Sequence, residues 1–197
     1  MAARRSLFRE GDKATEMFIV RRGEIKLFSV DASGREHVVA ILGPGEMFGH
    51  ETLENERHDT SAGALRYAEV CVSSSEHMRA ALATSPAVGR YMTKNLVTQL
   101  REARSLQLCL GTVRSTAKVA AWLARHAARD EDGALAVHRT MTLMDLAGVL
   151  GLAHETACRS LGELERKGLI RSEGHRWVVD SVQSLGEAGK IRARARR

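Results

Sequence analysis

Glu155 and Arg159 stand four residues apart in "HETACRSLGELERKGLI", residues 154–170, a stretch with a polar opening, an apolar repeat and a Gly-Leu-Ile exit. A carboxylate accepts from a cytosine amino group, and a guanidinium bonds N7 and O6 of one guanine together. At a helical spacing of four the two side chains also brace each other. Ala157, Leu161 and Leu164, spaced by four and three, share one helical face, so the charged pair lies on another and points away from the core. Two readings compete: an ordinary surface ion pair, or a pair that reads base edges. An exposed pair stabilises a helix by only a few tenths of a kcal/mol. A good base contact discriminates by about 1–3 kcal/mol. The surrounding elements decide between them.

Those elements run in a definite order. Thr142 stands three residues before Asp145, a capping box with Asp in place of Glu or Gln. Leu143, Leu146, Ala147 and Leu150 then form the apolar face of a short helix that Gly151 ends, and a second helix starts about three residues later. Two short helices joined by a glycine-containing turn are the helix-turn-helix pattern. After the second helix, "LIRS", the turn "EGH" and "RWVVD" read as a two-stranded hairpin. The unit is therefore a winged helix, and Glu155 and Arg159 lie near the start of the helix that enters a major groove. His154 joins them there. Ala153 holds the N-cap position without a capping side chain, which costs about 1 kcal/mol. A DNA phosphate would satisfy the amides left open.

Upstream the pattern differs. "MFIVRRGEIKLFSV" holds two β-rich runs broken at Arg22-Gly23, "DASG" is a turn cluster, and "EHVVAIL" is the next strand. "GPGEMFG" is a run of turn formers and "AEVCVSS" one more strand. Short strands punctuated by glycine indicate a small sandwich or barrel. From about Pro86 the period becomes helical: Met92, Leu96, Leu100, Ala103, Leu106 and Leu110 form one stripe, with Lys94, Arg101, Glu102 and Arg104 elsewhere. A rod leading from one domain to another has little intrachain surface to cover such a stripe, which favours a seam with a second copy. Gly111 breaks the rod. "TVRSTAKVAAWLARHAARD" then begins another helix that buries Val119, Trp122 and Leu123.

Bulk properties agree with a DNA partner. Residues 1–110 carry 15 Lys/Arg against 14 Asp/Glu, and residues 111–197 carry 15 against 10, so the net charge of +6 is concentrated in the second half. A basic half ending in "KIRARARR" suits a polyanion. The chain is 44% hydrophobic and 27% charged. No apolar run approaches the roughly 20 residues that span a bilayer, so no membrane partner is expected. The opening "MAARRSLFREGD" lacks a signal-peptide core, which points to the cytoplasm. Cys71, Cys109 and Cys158 form no metal-type pair.

With these residues in hand, the chain resembles the Crp/Fnr family of bacterial transcription regulators. "REGD", "MFIVRRGEIKLF", "GPGEMFG", the long helix and "HETACRSLGELERKGLI" occur in the family's order and spacing. The resemblance implies an α+β chain: an N-terminal antiparallel β jelly roll (1–84), a long dimerisation helix (85–110) and a C-terminal winged helix-turn-helix domain (111–197). It implies a homodimer on palindromic double-stranded DNA that contacts RNA polymerase. The family's reading Glu and Arg fall on Glu155 and Arg159, with His154 before them and Cys158 between. Thr142, Thr156, Lys167, His175 and Arg176 complete the candidate DNA-binding set, the last three and the basic tail as phosphate contacts.

The cyclic-nucleotide signature departs from that family. Where its binding members carry Phe-Gly-Glu and Arg-Ser-Ala, this chain has Phe48-Gly49-His50 and Thr60-Ser61-Ala62. Gly49, His50, Thr60 and Ser61 are thus the corresponding ligand-binding positions, without the guanidinium that pairs with a phosphate and with Asp59 adding repulsion. The expectation is a regulator without cyclic AMP and without a cofactor, not an enzyme. No cysteine precedes Cys71 to hold an iron–sulfur cluster, while eight histidines leave a haem ligand open. His37 and His50 raise a cupin-type metalloenzyme as an alternative, although the cupin His-x-His pattern is absent. An effector-gated regulator is the other alternative. Oxidation of Cys158 would place a bulky charged group against the groove.

Overall fold

The structure is a computed structural model and describes residues 6–189 apart from 55, 113, 131, 139 and 140. The basic tail, 190–197, therefore lies outside the described residues. The chain forms two compact units, Met1–Ala103 and Arg104–Arg197.

The first unit is built on an antiparallel sheet of β1 (Ser6–Phe8), β2 (Glu16–Val30), β3 (Glu36–Leu42), β4 (Met47–Phe48) and β5 (Ser61–Ser74). The strand order is β1-β5-β2-β3, with β4 on β2. The two runs expected on either side of Arg22-Gly23 are one 15-residue strand. Its pairing with β5 shifts register on both sides of that dipeptide, so the glycine marks a bulge and not a turn. Gly23 has φ 74, and a Cβ there would lie 2.0 Å from the Tyr67 carbonyl oxygen. Only glycine fits that approach.

Phe8, Phe18, Ile25, Leu42 and Phe48 fill the sheet's interior, and Phe18 stacks on Phe48 with ring centroids 5.0 Å apart. Phe48→Ala is expected to cost about 3–5 kcal/mol, measured as a lower denaturation midpoint. A loss well under 1 kcal/mol would mean that the site collapses around the gap.

Two helices follow the sheet. In α1 (Ser75–Thr84) the Ser74 hydroxyl accepts from the His77 amide, closing the N-terminus. α2 (Pro86–Leu110) opens on proline, whose missing N–H would have been unpaired at a first helical position. The division between the two units falls inside this helix. The apolar stripe of the sequence is divided between two faces. Met92 joins a buried cluster with Met17, Met47 and Met78. Beside it, two amide side chains hold β4 and the turn before it. Asn95 Oδ1 accepts from the Met47 amide at 3.0 Å and its Nδ2 donates to the Gly45 carbonyl at 3.3 Å. Gln99 Nε2 donates to the Met47 carbonyl at 2.6 Å. Leu96, Val97 and Leu100 remain 45%, 42% and 49% exposed.

The second unit holds α3 (Ser115–His126), β6 (Ala128–Arg129), β7 (Leu135–His138), α4 (Leu143–Leu150), α5 (His154–Arg166), β8 (Ile170–Glu173), β9 (Arg176–Val179) and α6 (Val182–Ala188). α3 buries Val119, Trp122 and Leu123, as its spacing predicts. It packs against α5 and α6. The expected hairpin is β8–β9, and it belongs to a four-stranded antiparallel sheet, β6-β7-β9-β8. The two added strands and α6 are absent from the sequence reading. β6 is two residues long, too short to carry an alternating pattern.

Candidate nucleic-acid interface

Thr142 starts α4 with the capping box that its spacing predicts: its hydroxyl accepts from the Asp145 amide at 3.1 Å, and its own amide donates to the Asp145 carboxylate at 3.0 Å. Gly151 closes the helix in the left-handed region, φ 59. The chain then turns directly into α5, whose N-cap Ala153 supplies no side-chain bond.

α5 is divided sharply between two environments. Ala157, Ser160, Leu161 and Leu164 are buried, and the helix packs against α3 and α4. His154, Glu155, Cys158 and Arg159 are exposed, and Thr156 is half-buried. The apolar face thus fixes the roll of the helix, and the polar residues near its start are left to solvent. One expectation fails in detail. Arg159 does not brace the Glu155 carboxylate; its Nε donates to the Glu155 carbonyl oxygen at 3.4 Å. A side chain leaning back toward the helix N-terminus meets that carbonyl on its way. The guanidinium is thereby steadied without being neutralised.

Lys167 caps the C-terminal end of α5 and donates to Glu163 Oε1 at 2.5 Å. The other Glu163 oxygen accepts from the Thr116 hydroxyl of α3 at 2.6 Å. The Lys167 ammonium and the Thr116 hydroxyl hold the Glu163 carboxyl below the ordinary carboxylate range. Sequence reasoning missed both Thr116 and Glu163. The signal for Glu163 was the continuation of one spacing, Glu155, Arg159, Glu163, Lys167. No sequence signal pointed to Thr116.

At the wing, Gly174 and His175 form the turn between β8 and β9, and His175 is exposed. Arg176 departs from its expected role as a phosphate contact. It bonds Asp132 at 2.7 Å, Asp130 at 2.8 Å and Glu173 at 3.2 Å. A guanidinium surrounded by three carboxylates is held charged, but its donors are committed within the domain. Arg176 therefore braces the wing to the β6–β7 turn. His175 and Lys167, the other two positions expected to meet phosphate, are both exposed.

In the first unit, two of the four positions that correspond to a ligand pocket, Gly49 and Ser61, are taken up by the fold itself. Gly49 has φ 78, and a Cβ there would stand 2.9 Å from the Glu16 carbonyl oxygen. Ser61 is buried and accepts from the Glu10 amide at 3.0 Å. Thr60 is half-buried. His50 opens a short 3-10 turn, His50–Leu53, and burial pushes its imidazole below the usual range, toward the neutral form. His37 lies elsewhere, against Asp31 at 2.7 Å. Among the described residues no group of three or more His, Cys, Asp or Glu is placed to hold a metal ion, and no helix is long and apolar enough to cross a membrane. Cys71 and Cys158 are exposed and Cys109 is buried, all three as free thiols.

Known proteins resemble the chain along nearly its whole length. Residues 1–85 match the family model of the cyclic nucleotide-binding domain, and residues 117–188 match the Crp-like helix-turn-helix domain. The transcriptional activator protein anr of Pseudomonas aeruginosa is 27% identical over 187 residues, 93% of this chain and 77% of the activator. A CRP-like cAMP-activated global transcriptional regulator of Mycobacterium tuberculosis is 26% identical over 94% of this chain and 84% of its own length. Among solved structures, FixK2 from Bradyrhizobium japonicum superposes with TM-score 0.79 at 24% identity, covering 97% of this chain and 94% of that one.

Proposed function

This chain belongs to the Crp/Fnr family of DNA-binding transcription regulators, and from that premise we propose that it acts as a homodimer on palindromic promoter sites without requiring cyclic AMP. One observation carries the reading: α5 buries its whole apolar face and leaves His154, Glu155, Cys158 and Arg159 together in solvent. A helix so placed offers donors and acceptors to base edges from its first two turns. Arg159 supplies the bidentate contact to guanine and Glu155 the acceptor for cytosine. Thr142, Thr156, Lys167 and His175 add contacts that position without specifying.

The exposed Leu96, Val97 and Leu100 of α2 supply the seam between two copies. Two recognition helices about 34 Å apart then enter successive major grooves. RNA polymerase as a partner and a cytoplasmic setting follow from the family resemblance. The lack of a cyclic AMP requirement is supported by Thr60 standing where an arginine would pair with the phosphate, and by the use of Ser61 and Gly49 within the fold.

Genomic fragments selected on the purified protein and sequenced should converge on an inverted repeat with half-sites one helical turn apart. Enrichment of no motif, or of a single unrepeated half-site, overturns the reading. Lys167→Ala should weaken binding to random duplex as well as to operator and lower the slope of log K against log salt by about 1. Filter binding at four salt concentrations checks this. An unchanged slope removes Lys167 from the phosphate contacts.

A further inference from the structure

Arg159 lies one turn from two carboxylates on the same stripe of α5, Glu155 before it and Glu163 after it. Spacing alone would let either one claim the guanidinium. Neither does. Glu155 offers only its carbonyl oxygen, and both oxygens of Glu163 are engaged, one by the Lys167 ammonium and the other by the Thr116 hydroxyl. A cavity of about 590 Å³ is bordered by Thr116, Thr156, Arg159, Glu163 and Arg166 among others. A released Glu163 side chain therefore has open space beside Arg159 in which to turn.

We propose that Thr116, with Lys167, is a positioning residue: by holding the Glu163 carboxylate it keeps the Arg159 guanidinium free to bond DNA. The inference rests on the reading of Arg159 given above. A guanidinium paired with a neighbouring carboxylate must give up that pair before it bonds guanine, and the carboxylate then faces the duplex. Operator binding would lose the most, because only there does Arg159 make its bidentate contact. The Thr116 hydroxyl is the firmer of the two holds. It reaches Glu163 from a different, packed helix on a short side chain, whereas Lys167 sits on a flexible four-carbon stem.

A simpler account makes the Thr116–Glu163 bond a mere strut between α3 and α5. The two accounts separate in a double-mutant cycle whose readout is the ratio of operator to random-duplex affinity at fixed salt. Thr116→Val removes the hydroxyl at nearly constant shape and should lower the ratio roughly three- to tenfold. Glu163→Gln should raise affinity for both duplexes and leave the ratio within about twofold, since a neutral amide removes a negative charge near phosphate. Combining the two substitutions should return the ratio to within about twofold of the parent, because an amide is no ionic competitor for Arg159. A strut predicts the reverse, a double variant at least as poor as Thr116→Val.

Thr116→Ser keeps the hydroxyl and should keep the ratio. Thr116→Ala replaces Thr116→Val if circular dichroism shows the latter to be unfolded. An unchanged ratio in folded Thr116→Val or Thr116→Ala, as when Glu163 turns to Arg166 instead, overturns the proposal. So does a double variant that stays low. Arg159→Ala, measured alongside, tells the two readings apart. If it keeps discrimination, the assignment of Arg159 fails and this inference with it; if it loses discrimination while Thr116→Val does not, only the present inference fails.

Discussion

Arg159→Ala is expected to lower the preference for operator over random duplex by about 5- to 150-fold, the range of one good bidentate contact to guanine. Binding to random DNA should fall far less, because the charge removed is one of many cations facing phosphate. The substitution should leave thermal stability nearly untouched. Arg159 is exposed, and its one bond among the described residues is a 3.4 Å contact to the Glu155 carbonyl; alanine is also the better helix former. Competition binding with an operator and a scrambled duplex measures the effect. Equal losses on both duplexes would reduce Arg159 to a phosphate contact and move base reading to His154 or Glu155.

The second large effect concerns α2. Leu100→Glu places a charge in the middle of the exposed Leu96, Val97 and Leu100 face. Glutamate is a good helix former, and Leu100 is half open to solvent in the isolated chain, so folding of one copy should change by no more than about 0.5 kcal/mol. Association is another matter. In the proposed dimer, burying that carboxylate in the apolar seam leaves it without a partner, and the variant should sediment as a monomer at micromolar concentration. Operator affinity should then fall by at least about a hundredfold, since one half-site no longer delivers the other at high effective concentration. Persistence of the dimer mass in Leu100→Glu would place the seam elsewhere on the surface.

How much of this was legible in advance depended on whether a signal was local. The helix-turn-helix could be read because its cues lie within one turn of the residues they govern: Thr142 with Asp145, Gly151 at positive φ, and the spacing of Ala157, Leu161 and Leu164. The bulge at Gly23 could not. A glycine after two arginines looks like a break between two strands until Tyr67, 44 residues on, is known to press against it. The α2 stripe was legible only in part, for a related reason. Periodicity sorts residues by polarity, yet here Asn95 and Gln99 face the sheet and Leu96 and Leu100 do not. The amides hold their places against the sheet through backbone bonds that no hydropathy pattern encodes.

The same limit governed the charged residues. Arg176 read as a wing cation, and only the fold brings Asp130 and Asp132 to it from more than 40 residues away. Thr116 and Glu163 are 47 residues apart in sequence. Spacing proposes partners along one helix; tertiary structure decides which of them are already engaged.

The attachment of α2 has a mechanical side. Apolar surfaces can slip past one another by fractions of an ångström with little penalty, but a hydrogen bond is made or broken over a short distance. Asn95 and Gln99 grip the backbone of Gly45 and Met47, immediately before the Phe48-Gly49-His50 corner. The helix is therefore notched against the sheet, not greased. A displacement of that corner would carry the rod along with it or unlatch it in a discrete step, and gradual creep is the one response this joint resists.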